Sequence, residues 1–142
     1  MASHAGLLAA LVLGGACATA FAAPESAPHA AACVAALEAQ ETTLAQTVKA
    51  GASVGDELLK VVRSGIAIIG TQYLAGLREA EARQMLKAAQ EDFETLPPSA
   101  ASERQVGCLR EGEAIFEHAS SLERSLITTA AQHRIRRITA RK

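Results

Sequence analysis

Three cysteines, at positions 17, 33 and 108, carry the most distinctive chemistry in this 142-residue sequence. Cys17 lies in an N-terminal segment that we expect to be removed, which leaves Cys33 and Cys108 as an even pair. In an oxidising compartment such a pair most simply forms a disulfide bond. A bond between Cys33 and Cys108 would close a loop of 75 residues and stabilise the fold by about 4–5 kcal/mol in the chain-entropy model. The alternative is two unrelated buried thiols, because free cysteine is a common core residue.

Beyond the N-terminal segment the histidines are His29, His118 and His133. Within one helix His118 and His133 would lie over about 20 Å apart, so they cannot share a metal ion there. The sequence has no H-E-x-x-H, C-x-x-C, C-x-x-C-H or G-x-S-x-G motif. We therefore expect no enzyme activity, no metal ion and no cofactor. One alternative stays open, a non-covalent haem held between Met85 and His118, although methionine on an apolar stripe is normally core packing.

The C-terminal stretch "RIRRITARK" contains five cations and no acid, while the net charge of the whole chain is −1. Two interpretations stay open: cations that stabilise a helix C-terminus, or a surface for an acidic partner or anionic lipid headgroups. With no overall basic field, 3% aromatic residues and no tryptophan, the composition argues against nucleic-acid binding. The candidate contact residues are Arg134, Arg136, Arg137, Arg141 and Lys142.

The N-terminal segment, residues 1–22, resembles a cleaved secretory signal. An apolar run is followed by small residues, and Ala20-Phe21-Ala22 fits an A-x-A cleavage signature, although Lys and Arg are missing from the start. Two alternatives are a lipoprotein acylated at Cys17 and an uncleaved anchor. We expect export, most simply to the periplasm of a Gram-negative cell, with a membrane-anchored lipoprotein as the alternative.

The rest of the chain, residues 29–142, predicts a single helical domain after a flexible lead-in over 23–28. The first helix is rich in alanine, and its apolar positions follow a helical stripe that is interrupted by Glu41. Pro97 and Pro98 end a long second span, and we expect Ser102 to cap a last helix that runs to about Ala140. The second span has an apolar stripe at Leu58, Val62, Ile66, Ile69, Tyr73 and Leu77, and the last helix has one at Leu109, Phe116, Ala119, Leu122, Leu126 and Ala130.

A Cys33–Cys108 bond is incompatible with three unbroken helices. At 1.5 Å per residue the two sulfur atoms would lie about 27 Å apart along the bundle, whereas a disulfide needs Cα atoms within about 7 Å. Gly65, Gly70 and Gly76 divide the second span, and a break or kink there would bring the cysteines together. The alternative is that these glycines allow neighbouring helices to approach closely.

The sequence thus predicts an all-α fold, a small bundle of three to four antiparallel helices with a break or kink near Gly65–Gly76. The expected function is non-enzymatic binding of an unidentified envelope protein, as an immunity-like inhibitor or a secretion or envelope adaptor. A membrane-surface component or lipoprotein, held by Cys17 or the basic tail, is the first alternative. A carrier of an apolar ligand or haem inside the bundle is the second.

Overall fold

The structure, a computed structural model, describes residues 23–140 and folds them into five α-helices, with no strand among these residues. The predicted all-α class is confirmed, but the chain has five helices rather than three to four. The signal prediction for residues 1–22, which include Cys17, and the tail residues Arg141 and Lys142 lie outside the described residues. The helices are α1 (Ala27–Lys49), α2 (Gly55–Leu74), α3 (Glu79–Glu94), α4 (Pro98–His118) and α5 (Ser121–Ala140).

Helix α1 lies at the centre of the bundle and contacts the other four helices. Its start is tied to the end of α2, where the Ser26 hydroxyl donates to Gln72 Oε1 over 3.0 Å. Small side chains let neighbours approach α1 from several sides, and the part of the helix over residues 30–37, which is apolar around its circumference, lies in the interior. Its buried alanines are Ala27, Ala30, Ala31, Ala35, Ala36 and Ala45.

The predicted break in the glycine-containing segment is found at Gly76. Helix α2 runs unbroken through Gly65 and Gly70, and Gly76 then adopts a φ of +103°, a left-handed conformation that favours glycine. The reversal divides the long second span into α2 and α3, so that α4 returns beside α1. The Cα atoms of Cys33 and Cys108 lie 5.1 Å apart and the predicted disulfide is formed, which confirms it.

A second turn separates α4 from α5, within the span that we predicted as one continuous last helix. Ala119 is extended (φ −68°, ψ 152°), and Ser120 then begins a reciprocal capping box. The Ser120 N–H donates to Glu123 Oε2 (2.7 Å), and the Glu123 N–H donates to Ser120 Oγ (3.2 Å). At its other end α4 begins at Pro98, before the expected cap at Ser102, because the fixed φ of proline suits the first turn of a helix.

Helices α2 and α4 cross in close contact at Ser64 and Gly112. A Cβ atom added to Gly112 would lie 2.5 Å from Ser64 Cβ and 2.7 Å from the Ser64 carbonyl oxygen. The close approach that we considered for Gly65, Gly70 and Gly76 is not seen, because nothing lies within 4 Å of a Cβ at any of the three. The glycine that permits a helix crossing is therefore one that the sequence did not single out.

Candidate functional site

An open apolar groove of about 520 Å³ lies between the C-terminal half of α2, the end of α4 and the first half of α5. Leu74 is 83% exposed and Leu126 is 62% exposed, and it is unusual for two such large aliphatic side chains to be exposed on the same surface. Contiguous exposed apolar surface of this kind marks interaction sites. The name "apolar groove" refers below to the surface formed by Ile66, Gly70, Leu74, Ile115, Leu126 and Ile127.

The groove is open because α5 packs onto the bundle mainly through its second half. There Ala131 is completely buried, in a cluster with Leu58 and Val62 of α2. We predicted Leu122 and Leu126 on the buried face of the last helix, and that prediction is wrong, because Leu122 is also 68% exposed. The turn at Ala119 and Ser120 restarts the helix, so the buried stripe of α5 is shifted around the helix axis relative to the stripe extrapolated from α4.

The apolar stripe predicted along α2 and its extension divides into two parts. Leu58 and Val62 are core residues, as expected, and Ile66 is half-buried at the inner end of the groove. Tyr73 was expected in the same buried stripe but is 45% exposed, one residue before the end of α2. Leu77 is buried beyond the turn, in a cluster with Ala27 and Ala82. The predicted stripe is thus core at Leu58, Val62 and Leu77 and groove wall at Ile66 and Tyr73.

Gly70 forms part of the groove floor without being required by packing. Nothing lies within 4 Å of the position that its Cβ would take. Glycine inside a helix destabilises a protein by about 0.5–1 kcal/mol relative to alanine. The glycine therefore keeps the groove deep at a position where alanine would fit and would favour the helix.

The charged residue that lines the apolar groove is Glu123, in the first turn of α5, and the polar residues Thr71 and Tyr73 line it from α2. Hydrogen bonds from the Ser120 hydroxyl and from the Ser120 backbone N–H lower the pKa of the Glu123 carboxyl. A carboxylate also interacts favourably with the positive end of a helix dipole. The groove therefore has an aliphatic floor and one fixed negative charge at its α5 end.

Arg134, the first residue of the predicted basic tail, forms an ion pair inside the bundle. Its Nε donates to Glu41 Oε1 and Oε2 over 2.9 and 3.0 Å, and one terminal nitrogen donates to Glu38 Oε1 over 3.0 Å. Glu41 is only 7% exposed. Burial raises the pKa of the Glu41 carboxyl and outweighs the lowering effect of Arg134. This contact explains the charged residue that interrupts the apolar stripe of α1.

The other described cations of the tail, Arg136 and Arg137, are exposed on the last turns of α5. The structure therefore divides the predicted basic surface: Arg134 contacts carboxylates of its own chain, while Arg136 and Arg137 face solvent. Positive charge in the last turn of α5 is favourable in the field of the helix dipole whether or not a partner is present.

The disulfide has two polar neighbours, one on α1 and one on α4. His29 lies in the first turn of α1, which begins at Ala27, two residues before the predicted start of the helical domain, and its Nε2 is 3.8 Å from Cys33 Sγ. Glu111 approaches from α4, with Oε2 3.9 Å from the same sulfur and 2.7 Å from His29 Nε2. The signal was present in the spacing, since His29 precedes Cys33 by four residues and Glu111 follows Cys108 by three, one helical turn in each case.

Met85 and His118, the candidate haem ligands, lie in different surroundings. Met85 lies on α3, where its half-buried side chain packs against the apolar clusters that contain Ala31 of α1 and Ala82 of α3. His118 is exposed in the last turn of α4, where its Nδ1 is 2.7 Å from the Ala114 carbonyl oxygen. These contacts are those of a core methionine and of a surface histidine at a helix end.

The disulfide is compatible with an exported protein. Across residues 23–140 no helix has both the length and the apolar character needed to cross a membrane. Searches against family models, curated proteins and solved structures found no match to this chain.

Proposed function

We propose that this chain is an exported, non-enzymatic binding protein of the cell envelope, and that its apolar groove receives an amphipathic helix of a partner protein. The observation that carries the proposal is the exposure of Leu74 and Leu126 on facing sides of the groove. Burying large aliphatic side chains contributes about 1.5–3 kcal/mol each, so this surface has binding energy to offer. An immunity-like inhibitor or an adaptor of a secretion or envelope system fits this description.

The shape of the groove favours a helix over a small ligand. Sites for small molecules are concave enough to bury most of the ligand surface and carry a few polar groups that orient it. This groove is open to solvent along one side, and its lining is mostly aliphatic. Helix-in-groove recognition instead uses apolar side chains at positions i, i+3 or i+4, and i+7. The Glu123 carboxylate at one end adds a preference for Lys or Arg near one end of the partner helix.

Two features support export of the mature chain to the periplasm. The N-terminal sequence resembles a cleaved signal, and the Cys33–Cys108 bond would persist in an oxidising compartment. The partner that we propose is therefore another envelope protein.

A membrane-surface role is the second candidate, and the exposed Arg136 and Arg137 favour it. Cations near an anionic lipid surface contribute about 1 kcal/mol each, and this attraction weakens with salt. Arg134 is not among the cations available to a lipid surface, because it contacts Glu38 and Glu41.

Site-specific photo-crosslinking in the producing cell tests the proposal. A benzophenone amino acid is placed at Leu126 in the groove, at Val106 on α4, or at Arg137 on the tail. Val106 is the matched control, because it is 57% exposed and lies outside the groove. We expect a protein adduct at Leu126, mapped by mass spectrometry to a helix with the aliphatic spacing described above, and none at Val106.

Other adducts give other answers. Lipid adducts at Arg137 with no protein adduct at Leu126 would favour the membrane-surface role. A small apolar molecule crosslinked at Leu126 would favour a carrier. Equal protein adducts at Leu126 and Val106 would show that the groove confers no selectivity, and the proposal would fail.

A further inference from the structure

The surroundings of the disulfide contain a second set of donor atoms. His29 and Cys33 lie one helical turn apart on α1, and Cys108 and Glu111 lie one turn apart on the facing helix α4. Among the residues that the structure describes, His29, Cys33 and Glu111 place one potential ligand atom each within 4.8 Å of one another. Helical bundles build metal sites in this way, from pairs of side chains one turn apart on facing helices.

The spacing of these atoms matches a tetrahedral zinc site. With Zn–S of about 2.3 Å and Zn–N or Zn–O of about 2.0–2.2 Å, ligand atoms in a tetrahedron stand about 3.3–3.8 Å apart. Cys33 Sγ lies 3.8 Å from His29 Nε2 and 3.9 Å from Glu111 Oε2. The nitrogen and the carboxylate oxygen are 2.7 Å apart and would separate slightly around an ion. Cys108, bonded to Cys33 at the same place, provides the fourth ligand once the disulfide is opened and its sulfur moves apart from that of Cys33.

We propose that reduction of the Cys33–Cys108 disulfide converts this cluster into a binding site for one thiophilic divalent cation such as Zn²⁺. A dithiol reductant transfers two electrons and two protons to the disulfide and is itself oxidised to a disulfide, which leaves two cysteine thiols. The cation then displaces both thiol protons to solvent. Two thiolates, His29 Nε2 and the Glu111 carboxylate complete four ligands.

The disulfide and the metal ion exclude each other, because a disulfide sulfur has no thiolate charge to donate. Both join α1 to α4 at the same place, so the ion replaces a covalent link with a coordinate one. The two thiolates and the carboxylate carry three negative charges, of which the ion cancels two. Arg104 and Glu103, which have opposite charges, line the same surface cavity as Cys33 and Cys108, so the occupied site keeps one negative charge.

A cation can reach the cluster from solvent. The cavity over the sulfur atoms measures about 500 Å³ and is open at the surface. The side chains of His29 and Glu111 are 64% and 40% exposed, while Cys33 and Cys108 form its buried floor.

Cobalt titration of the full chain tests the proposal. The chain is reduced with a phosphine under anaerobic conditions and titrated with Co²⁺. We expect one Co²⁺ per chain, with thiolate-to-cobalt charge transfer and the intense visible bands of tetrahedral cobalt, and displacement by Zn²⁺. The oxidised chain should show neither signal. His29→Ala and Glu111→Gln should each weaken binding more than about tenfold, since losing an outer-shell partner alone has an effect of that size.

Two substitutions serve as matched controls. Glu113→Gln lies two residues from Glu111 on α4, and that carboxylate pairs with Lys60 instead, over 3.2 Å. His133→Ala removes an exposed histidine of α5. Both should leave cobalt affinity within about twofold of the parent chain, because neither touches the cluster.

Three results would overturn the proposal: no cobalt signal in the reduced chain, equal binding by the oxidised chain, or unchanged affinity in His29→Ala and Glu111→Gln. Circular dichroism follows the helices throughout. If reduction alone unfolds the chain, recovery of helix with one equivalent of Zn²⁺ would support the site. Failure of one equivalent to restore any helix would refute it.

Discussion

Replacement of Gly112 by alanine tests the account of how the bundle is held together. A methyl group at this position would lie 2.5 Å from Ser64 Cβ, 2.7 Å from the Ser64 carbonyl oxygen and 2.8 Å from Ser64 Cα. Two of these atoms belong to the backbone, so no side-chain rotation relieves the overlap. Optimal carbon–carbon contact begins at about 3.5 Å, and α2 and α4 must therefore move apart by about 1 Å at their crossing.

The expected effect is the difference between two opposing contributions. Overpacking of a well-packed core lowers the free energy of unfolding by about 1–3 kcal/mol. Alanine in place of glycine within a helix raises it by about 1 kcal/mol. Because Val61 and Ile68, on either side of Ser64, belong to the core cluster that contains both cysteines, a separation of the helices spreads into that cluster. The difference is about 0–2 kcal/mol, and because the core cluster is disturbed we expect Gly112→Ala to lower the free energy of unfolding by an amount in the upper half of that range, about 1–2 kcal/mol.

Gly107→Ala is the matched control on the same helix. Nothing lies within 4 Å of a Cβ at Gly107, and the residue is exposed, so only the helix-forming advantage remains. We expect this variant to be more stable than the parent by about 0.5–1 kcal/mol. Urea denaturation of both variants, followed by far-ultraviolet circular dichroism, gives the two free energies. If Gly112→Ala were as stable as Gly107→Ala, the close crossing of α2 and α4 would be wrong.

Two further predictions concern the Arg134 ion pair and the disulfide. Arg134→Met should lower the free energy of unfolding by about 2–3 kcal/mol at neutral pH. This loss is smaller than the loss expected from breaking a fully buried ion pair, because the Arg134 side chain is 36% exposed. The control Arg137→Met should have little effect on the free energy of unfolding. Burial raises the pKa of Glu41, so the stability contributed by this group is full below the ordinary carboxyl pKa and is lost as pH rises through the raised value. Because acidification protonates Glu41 and removes the charge that Arg134 pairs with, the loss of unfolding free energy in Arg134→Met, measured by urea denaturation, should become smaller at low pH. A loss that does not depend on pH would contradict the ion pair. Opening the disulfide, which spans 75 residues, should lower the free energy of unfolding by about 4–5 kcal/mol, measured by the same method in Cys33→Ser/Cys108→Ser; unchanged stability would argue against a structural role for the bond.

The interrupted stripe of α1 illustrates what a sequence pattern can and cannot resolve. Helical periodicity identified Glu41 as a charged residue among apolar positions, but the pattern within one helix does not show which residue of another helix packs against it. The answer is Arg134, 93 residues later in the chain. The same arginine looked like part of a uniform basic tail, because charge runs are read locally, although its position on α5 turns it toward α1.

The groove was out of reach of the sequence for a related reason. The exposed Leu122 and Leu126 have the same types and spacing as core residues, and a continuous helix would have buried them. Ser120 and Glu123 form an S-x-x-E capping signature that indicates a new helix start. This local signal predicts the turn, yet the angle at which α5 leaves α4 depends on packing between Ala131 and α2.

The sequence by itself determined the helical class, the alanine-rich first helix, the pairing of Cys33 with Cys108 and the need for a reversal between them. These are consequences of composition, periodicity and chain length, which act over a few turns or through simple geometry. Only the tertiary structure decided which glycine lies at a helix crossing, what covers Glu41, where the aliphatic surface stays open and which side chains surround the disulfide. Those features depend on the relative rotation and tilt of helices, and such angles are set by contacts between residues far apart in the chain.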